Sequence, residues 1–159
     1  LALESNQVQN LVLKNEEGGS FSINRDSAET DWISSSEKSD VPDSDKITTL
    51  LNRLGKLSFS KLYINDSVSQ QAEGTDLIET TLFVSLFDSR VYTLNLRKNV
   101  ASNENYILSI RMGISMVASD NSEAEDSKLR DEMGIYNQQV NGRFYEISSW
   151  EGKELLLSE

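Results

Sequence analysis

The amino-acid sequence predicts an α+β domain in which helices pack on a largely antiparallel sheet, and three observations lead to this class. Between residues 78 and 112, three runs of alternating apolar and polar residues follow one another, which is typical of an antiparallel meander with one solvated face. Residues 47–54 carry a single apolar stripe at helical spacing. The chain of 159 residues is long enough for one domain with a sizeable core.

The N-terminal segment predicts a β-hairpin and a third, short strand. Residues 8–14 and 20–24 alternate between apolar and polar side chains. The glycine pair at 18–19 allows the positive φ angles of a tight turn between them. The short strand is predicted at residues 32–33.

A capped amphipathic helix is predicted next. Asp43 or Ser44 is placed to cap its N-terminus, and we expect Gly55 to end it in the left-handed conformation. We also expect its apolar stripe to pack on a sheet. The stripe consists of Ile47, Leu50, Leu51 and Leu54.

The second half of the chain predicts further strands and two more helices. The strands are expected at residues 57–64, 78–87, 91–96, 106–112 and 144–147. Leu57 and Phe59 are expected to face inward in the first of these. A helix at residues 119–132, ending near Gly134, has poor apolar periodicity, so we expect it to lie outside the core. Residues 149–157 predict the last helix.

The order of elements predicts two related β-β-β-α units, residues 7–57 and 77–159, within a single domain covering residues 1–159. Neither unit is expected to close a core alone, because few strands leave a sheet edge and a helix face uncovered. We therefore expect one continuous sheet, or two tightly packed sheets, with the helices on the apolar faces.

Composition and charge exclude several classes of function. The chain has no cysteine and no histidine, which excludes disulfides, Ser-His-Asp and Cys-His catalysis and the usual zinc sites. A net charge of −11 disfavours binding to nucleic acids and anionic lipids. No apolar run reaches the roughly 18 residues of a membrane span, so we expect no direct membrane insertion by this domain. Because the chain begins at Leu1, we expect a leader or an N-terminal anchor to precede it.

The acidic residues form two candidate cation sites, and neither is assigned as a site. Asp120, Glu123, Glu125 and Asp126 lack the ligand order of a calcium loop, so a solvated charge run is the preferred interpretation. The second cluster lies where a helix N-terminus favours carboxylates, and capping explains it. Its members are Asp40, Asp43 and Asp45.

The sequence evidence for a catalytic site is as weak as that for a cation site. Carboxylates adjoin a tryptophan at Asp31 and Glu151, but Trp32 and Trp150 are both expected to anchor edges of the core. Serine and lysine at positions 35 and 38 have the spacing of a Ser–Lys dyad but lie in a polar loop. We therefore predict a protein that is not an enzyme, with no catalytic, metal-binding or cofactor-binding residues and no cofactor.

Several stretches together resemble the bacterial domain-of-unknown-function family numbered 4340. They are the strand at residues 8–13, the segment 21–23, the tryptophan strand at 31–33, the segment 41–54 that leads into the helix, and residues 142–150, which read Gly-Arg-Phe-Tyr-Glu-Ile-Ser-Ser-Trp. The resemblance covers nearly the whole chain. Residues 65–76 and 119–139 fit the family pattern poorly.

The resemblance implies an extracytoplasmic domain at the periplasmic face, held by an N-terminal membrane anchor. It also implies protein partners in the envelope, including ABC-type transporter components, some of them linked to gliding motility. It implies no activity and no catalytic residue. The first interpretation is therefore a non-catalytic binding or scaffolding module that works through protein contacts.

Two alternatives stay open. One is a small-ligand- or polysaccharide-binding domain of the same envelope location, and the other is a carboxylate-based hydrolase. A pocket with two converging carboxylates of perturbed pKa would favour the hydrolase. An exposed apolar patch or an open sheet edge would favour the scaffold.

Overall fold

The computed structural model describes residues 3–15, 20–35, 43–64, 79–98, 105–115 and 123–156. The strands are β1 (Val8–Asn15), β2 (Ser20–Asn24), β3 (Ile33–Ser34), β4 (Lys61–Ile64), β5 (Glu79–Leu86), β6 (Arg90–Lys98), β7 (Tyr106–Ile114) and β8 (Arg143–Ile147). The helices are α1 (Ser44–Gly55), α2 (Glu123–Val140) and α3 (Ser149–Leu155), and a 3-10 turn (Ser5–Gln7) precedes β1.

All these strands belong to one antiparallel sheet in the order β3-β2-β1-β5-β6-β7-β8-β4. Strands β1 to β3 and strands β5 to β7 each pair in chain order. The two meanders meet where β1 pairs with β5, with Leu11 opposite Val84. β4 pairs with β8 at the far edge of the sheet. The α+β class and the largely antiparallel sheet are thus confirmed, while the relation between the two halves stays a prediction.

The core lies between one face of the sheet and the three helices. Leu50 and Leu54 of α1 and Leu155 of α3 are completely buried. Each such leucine contributes about 1.5–3 kcal/mol through the apolar surface that it removes from water. The sheet contributes Val8, Leu11, Leu13, Ile23, Leu82, Val84, Leu86, Tyr92, Leu94, Leu96, Leu108, Ile110, Met112 and Ile147.

The N-terminal cap of α1 is confirmed, but the predicted role of Gly55 is wrong. The Asp43 carboxylate accepts a hydrogen bond from the backbone N of Asp45 at 3.0 Å. Gly55 is the last residue of α1, yet among the described glycines only Gly142 has a positive φ angle. A Cβ atom at residue 55 would lie 2.6 Å from the carbonyl oxygen of Leu3. Close packing, rather than a left-handed conformation, therefore requires glycine here.

The strand predicted at residues 57–64 is shorter, since it begins at Lys61. The inward placement of Phe59 is wrong, because this side chain is 57% exposed. Its ring lies 5.2 Å from the ring of Tyr145, measured between centroids. Leu57 packs against the core, as predicted. The chain reaches the outer edge of the sheet at this point, where no described neighbouring strand covers Phe59.

Helix α2 is longer than predicted, because it continues through Gly134 to Val140. The expectation that this segment lies outside the core is wrong for Leu129, which is buried in the core. Met133 and Tyr136 follow Leu129 at helical spacing and pack against the core. Ile135 is 59% exposed on the other side of the helix. An apolar residue facing solvent obscures the periodicity by which such a helix is recognised.

The two tryptophans have different environments. Trp32 packs against the core, with the guanidinium of Arg25 4.6 Å from its ring centroid, as expected of an edge anchor. Trp150 is 54% exposed, and the guanidinium of Arg53 lies 3.9 Å from its ring centroid. The predicted anchoring role of Trp150 is therefore wrong, because the next residue, Glu151, is the one that α3 turns inward.

Candidate functional site

A cleft opens in the sheet because the pairing between β7 and β8 ends early. The ladder stops at Leu108, which lies opposite Tyr145. Continued in the same register, the ladder would place Ile110 opposite Arg143, but these two residues are not paired. β7 continues along β6 as far as Ile114, whereas β8 begins only at Arg143.

The end of α2 takes the place of β8 beside β7. The side-chain Oδ1 of Asn137 accepts a hydrogen bond from Met112 N at 2.9 Å, and its Nδ2 donates to Met112 O at 2.8 Å. Asn141 N donates to Asn137 O at 2.9 Å. Gly142, with a φ angle of 67°, then turns the chain from α2 into β8. These contacts hold the helix end and the strand at a fixed separation.

The cleft has a volume of about 750 Å3, which falls within the range of small-molecule sites. Most of its side chains are neutral hydrogen-bonding groups. The Asn95 Oδ1 accepts a hydrogen bond from the Thr81 hydroxyl at 3.0 Å, which leaves the Asn95 amide nitrogen without a partner among the described residues. The lining consists of Thr93, Asn95, Ser109, Ile110, Arg111, Asn137, Gln138, Val140, Asn141, Gly142, Arg143 and Phe144.

The charge of the cleft is opposite to that of the chain. The chain has a net charge of −11, but the described lining contains Arg111 and Arg143 and no acidic residue. Both arginines are exposed, and neither forms an ion pair within the described part of the chain. The guanidinium of Arg97 flanks the cleft, 5.7 Å from the ring centroid of Phe144. A cleft lined by one sign of charge concentrates ligands of the opposite sign.

A smaller apolar cavity of about 210 Å3 adjoins the cleft on the helix side of the sheet. Two side chains, Ile110 and Val140, line both spaces. Burial, together with the neighbouring phenols of Tyr92 and Tyr145, raises the pKa of Tyr136 to about 12, so its hydroxyl stays protonated at neutral pH. The lining consists of Leu57, Ser58, Phe59, Leu108, Ile110, Tyr136, Val140, Tyr145 and Ile147.

The buried carboxylate of Glu146 joins β4 to β8. This residue is 7% exposed and accepts hydrogen bonds from the Tyr63 hydroxyl at 2.6 Å and the Asn105 amide at 3.0 Å. Burial raises the pKa of Glu146. The hydrogen bonds from Tyr63 and Asn105, the charge of Lys61 and the Ser60 hydroxyl lower it by more, so the pKa lies below its ordinary value. The carboxylate is thus held ionised by the fold.

The buried carboxylate of Glu151 joins α1 to α3. It accepts hydrogen bonds from the Ser58 hydroxyl at 2.6 Å and from the Ser148 hydroxyl, which caps α3, at 2.9 Å. Burial raises the pKa of Glu151, but these hydrogen bonds lower it by more. Arg53 Nη1 lies 3.4 Å from Glu151, and Arg53 Nε lies 2.6 Å from Glu154. Neither Glu146 nor Glu151 lines the cleft.

The acidic clusters singled out in the sequence fall at helix starts. Glu123, Glu125 and Asp126 lie in the first turn of α2, where carboxylates complement the helix dipole. Asp43 caps α1, whereas positions 40 and 120 lie outside the described residues. In the described parts of the chain, no group of three or more acidic side chains is arranged to hold a metal ion.

The other sequence candidates are not brought together with the cleft. Asp31 is exposed in the loop before β3, next to Trp32. The hydroxyl of Ser35 donates to Asn24 Oδ1 at 2.6 Å, while position 38, the lysine of the possible dyad, lies outside the described residues. The glycine pair at 18–19 also lies outside them.

Sequence reasoning did not single out the cleft, and one signal could have directed attention to it. Residues 137–142 read Asn-Gln-Gln-Val-Asn-Gly, an amide-rich run that ends in a dipeptide typical of turns. The run supplies four of the side chains in the cleft, and Gly142 completes the turn. The remaining lining comes from three strands, whose proximity depends on the tertiary fold.

No protein-family model matches the chain, and no curated protein and no solved structure matches it. The resemblance to the family numbered 4340 therefore stays a prediction. None of the described helices is both long enough and apolar enough to cross a membrane.

Proposed function

We propose that this domain is a non-catalytic binding module of the bacterial cell envelope that takes an acidic saccharide in the cleft between β7 and β8. One observation carries the proposal. In a chain of net charge −11, a cleft of about 750 Å3 combines two arginines that have no described carboxylate partner with amide and hydroxyl side chains. The proposal favours the ligand-binding alternative over a scaffold.

The side chains of the cleft suit both parts of such a ligand. The planar guanidinium groups of Arg111 and Arg143 can each donate two parallel hydrogen bonds to a carboxylate. Amides such as Asn95 and Gln138 carry both donors and acceptors, which match the mixed character of sugar hydroxyls. The ring of Phe144 adds an apolar surface beside these polar groups.

The two perturbed carboxylates support a binding role rather than hydrolysis. Carboxylate-based hydrolysis needs a general acid whose pKa is raised and which lies beside the substrate. The pKa values of Glu146 and Glu151 are lowered, and both side chains are engaged by hydrogen bonds outside the cleft. The resemblance noted in the sequence supports an extracytoplasmic, membrane-anchored location, where acidic saccharides are exposed to binding domains.

Glucuronic acid is the simplest probe, with glucose as its uncharged counterpart. We expect glucuronic acid to shift the NMR resonances of Asn95, Arg111 and Phe144 in a saturable way, and glucose to bind much more weakly. Replacing both arginines (Arg111→Gln with Arg143→Gln) should abolish binding. Arg130→Gln removes one such charge from an exposed position on α2 that does not line the cleft, and should have no effect.

Salt provides an independent check, because screening weakens attraction between exposed charges. We expect the affinity for glucuronic acid to fall as salt rises from about 0.01 M to about 0.15 M. Equal binding of glucose and glucuronic acid, or binding that survives loss of both arginines, would contradict the proposal.

A second candidate function, protein scaffolding, is favoured by the outer edge of the sheet. β4 is the last strand, and its outer edge pairs with no strand within the described ranges. Ile64 is 63% exposed, and Leu62 and Phe59 are also exposed. An extended segment of an ABC-type transporter component could add to this edge as a further strand, with its apolar side chains on Leu62 and Ile64.

The scaffolding function is tested by using the membrane-anchored protein to capture binding partners from native cell envelope. If it is right, a transporter component is captured by the unmodified protein, and Ile64→Lys abolishes the capture. Ile135→Lys is the matched control, since Ile135 is similarly exposed but lies on α2. Capture that survives Ile64→Lys would speak against an interface at β4.

A further inference from the structure

The cleft and the smaller apolar cavity are separated by side chains rather than by strand pairing. Ile110 of β7 and Val140, the last residue of α2, line both spaces. The β7–β8 ladder has already ended at Leu108, opposite Tyr145. A ligand group passing from one space to the other would therefore displace side-chain atoms without breaking that ladder.

The smaller cavity has the size and lining of a site for an apolar group. Its volume of about 210 Å3 exceeds the roughly 150 Å3 of an apolar protein cavity that holds benzene. Aliphatic and aromatic side chains make up most of its lining. The hydroxyl of Ser58 is occupied by Glu151, and Tyr136 contributes a neutral phenol, so no charged group of the lining opposes entry of an apolar group.

We infer that the ligand of the cleft is amphiphilic, with an acidic, hydroxyl-bearing head bound in the cleft and an apolar group about the size of a benzene ring bound in the adjoining cavity. The link between them passes between Ile110 and Val140. This inference rests on the proposed function, because the head occupies the same cleft.

Two probes that share one head separate the inference from the proposed function. Glucuronic acid supplies the head alone, and phenyl β-glucuronide adds one phenyl group. We expect calorimetric titration of the full chain to give an affinity for phenyl β-glucuronide that is about 10- to 100-fold higher, the ratio that follows from burying one phenyl group. We also expect only phenyl β-glucuronide to shift the ring resonances of Tyr136.

A variant that fills the smaller cavity provides the control. Leu57 lines that cavity and not the cleft. Leu57→Phe should reduce the affinity for phenyl β-glucuronide to that for glucuronic acid, and leave the latter unchanged. Thermal unfolding of Leu57→Phe establishes that the variant is folded. If it is not, the Tyr136 resonances of the unmodified protein still report whether the phenyl group enters.

The possible outcomes are distinct. Glucuronic acid bound at the cleft, with no gain from the phenyl group, overturns the inference and leaves the proposed function standing. A gain that persists in folded Leu57→Phe, without a shift at Tyr136, also overturns it, because the phenyl group then binds elsewhere. If neither probe binds, the proposed function itself fails.

Discussion

The side-chain amide of Asn137 forms two hydrogen bonds with the backbone of Met112, 2.9 Å from Met112 N and 2.8 Å to Met112 O. The amide therefore provides hydrogen-bond partners for the backbone N–H and C=O of a buried strand residue, as a neighbouring strand would. A buried backbone group that loses its partner costs the full desolvation of that group. The contact also fixes where the end of α2 lies against β7, and hence the geometry of the cleft.

Replacement of Asn137 by leucine should destabilise the protein by about 1–3 kcal/mol, because Met112 N and O would lose their partners inside the structure. We expect the midpoint of urea unfolding to fall and the amide of Met112 to exchange with solvent faster. Gln138→Leu is the matched control, since Gln138 is an exposed neighbour whose side chain forms no hydrogen bond with the described residues. It should change stability by less than about 0.5 kcal/mol. Equal effects of both variants would show that the amide of Asn137 does not stabilise β7.

The stability of the protein should depend on the buried apolar side chains of helix α1. Leu54 is completely buried, so Leu54→Ala removes apolar contacts and leaves a cavity, at a cost of about 2–5 kcal/mol. Thr49→Ala changes an exposed position of the same helix and should be nearly neutral. Chemical denaturation measures both. An unchanged denaturation midpoint for Leu54→Ala would mean that α1 is not docked on the sheet.

The same substitution at two helical glycines should have opposite effects. A Cβ at Gly134 would meet no atom within 4 Å, so Gly134→Ala should stabilise α2 by about 0.5–1 kcal/mol through helix propensity. A Cβ at Gly152 would overlap the ring of Tyr106, so Gly152→Ala should destabilise by about 1–3 kcal/mol. Thermal unfolding of the two variants provides the comparison. A stabilised Gly152→Ala would contradict the packing of α3 on Tyr106.

Acid should destabilise the protein partly through Glu146. Its pKa in the folded protein lies below the ordinary value of 4.5, so between these two values the unfolded chain binds more protons. The stability contributed by Glu146 is therefore present above the ordinary value and is lost as pH falls through the folded pKa. Glu146→Gln should be less stable near neutral pH and should depend less on pH below about 5.

The control for this acid effect is Asp131→Asn, which removes one negative charge from an exposed position of α2 without a described partner. The measurement is the change in unfolding free energy with pH across the acid range. In Asp131→Asn this pH dependence should equal that of the unmodified protein, and in Glu146→Gln it should be weaker. Identical slopes in the two variants would exclude a special contribution of Glu146.

The sequence predicted those elements whose signal is local. The alternating residues of β5, β6 and β7 specify which face is buried, and that meander is confirmed. The cap of α1 at Asp43 is a short-range hydrogen bond and is confirmed as well. The end of α2 was not predictable in the same way, because Ile135 faces solvent and the burial of Leu129 depends on contact with the sheet.

The cleft depends on relations that no local pattern expresses. Its walls come from β6, β7, β8 and the end of α2, and it exists because the ladder stops after Leu108. The exposed position of Trp150 has a similar origin, since it follows from the face that α3 turns toward the core, and Glu151 rather than Trp150 lies on that face. Residues that are distant in sequence have to be placed in space before such features become visible.

The position of β4 has a consequence for synthesis on the ribosome. Residues 61–64 of β4 pair with residues 143–146 of β8, so translation produces the edge strand long before the strand that it pairs with. Until β8 emerges, the backbone groups of β4 that later pair with β8 lack these partners, and the nascent chain carries the apolar side chains of Leu62 and Ile64 beside them. Long-range closure of this kind folds slowly and leaves strands open to association with other chains. A nascent chain stalled before residue 143 would therefore be a target for chaperones and proteases.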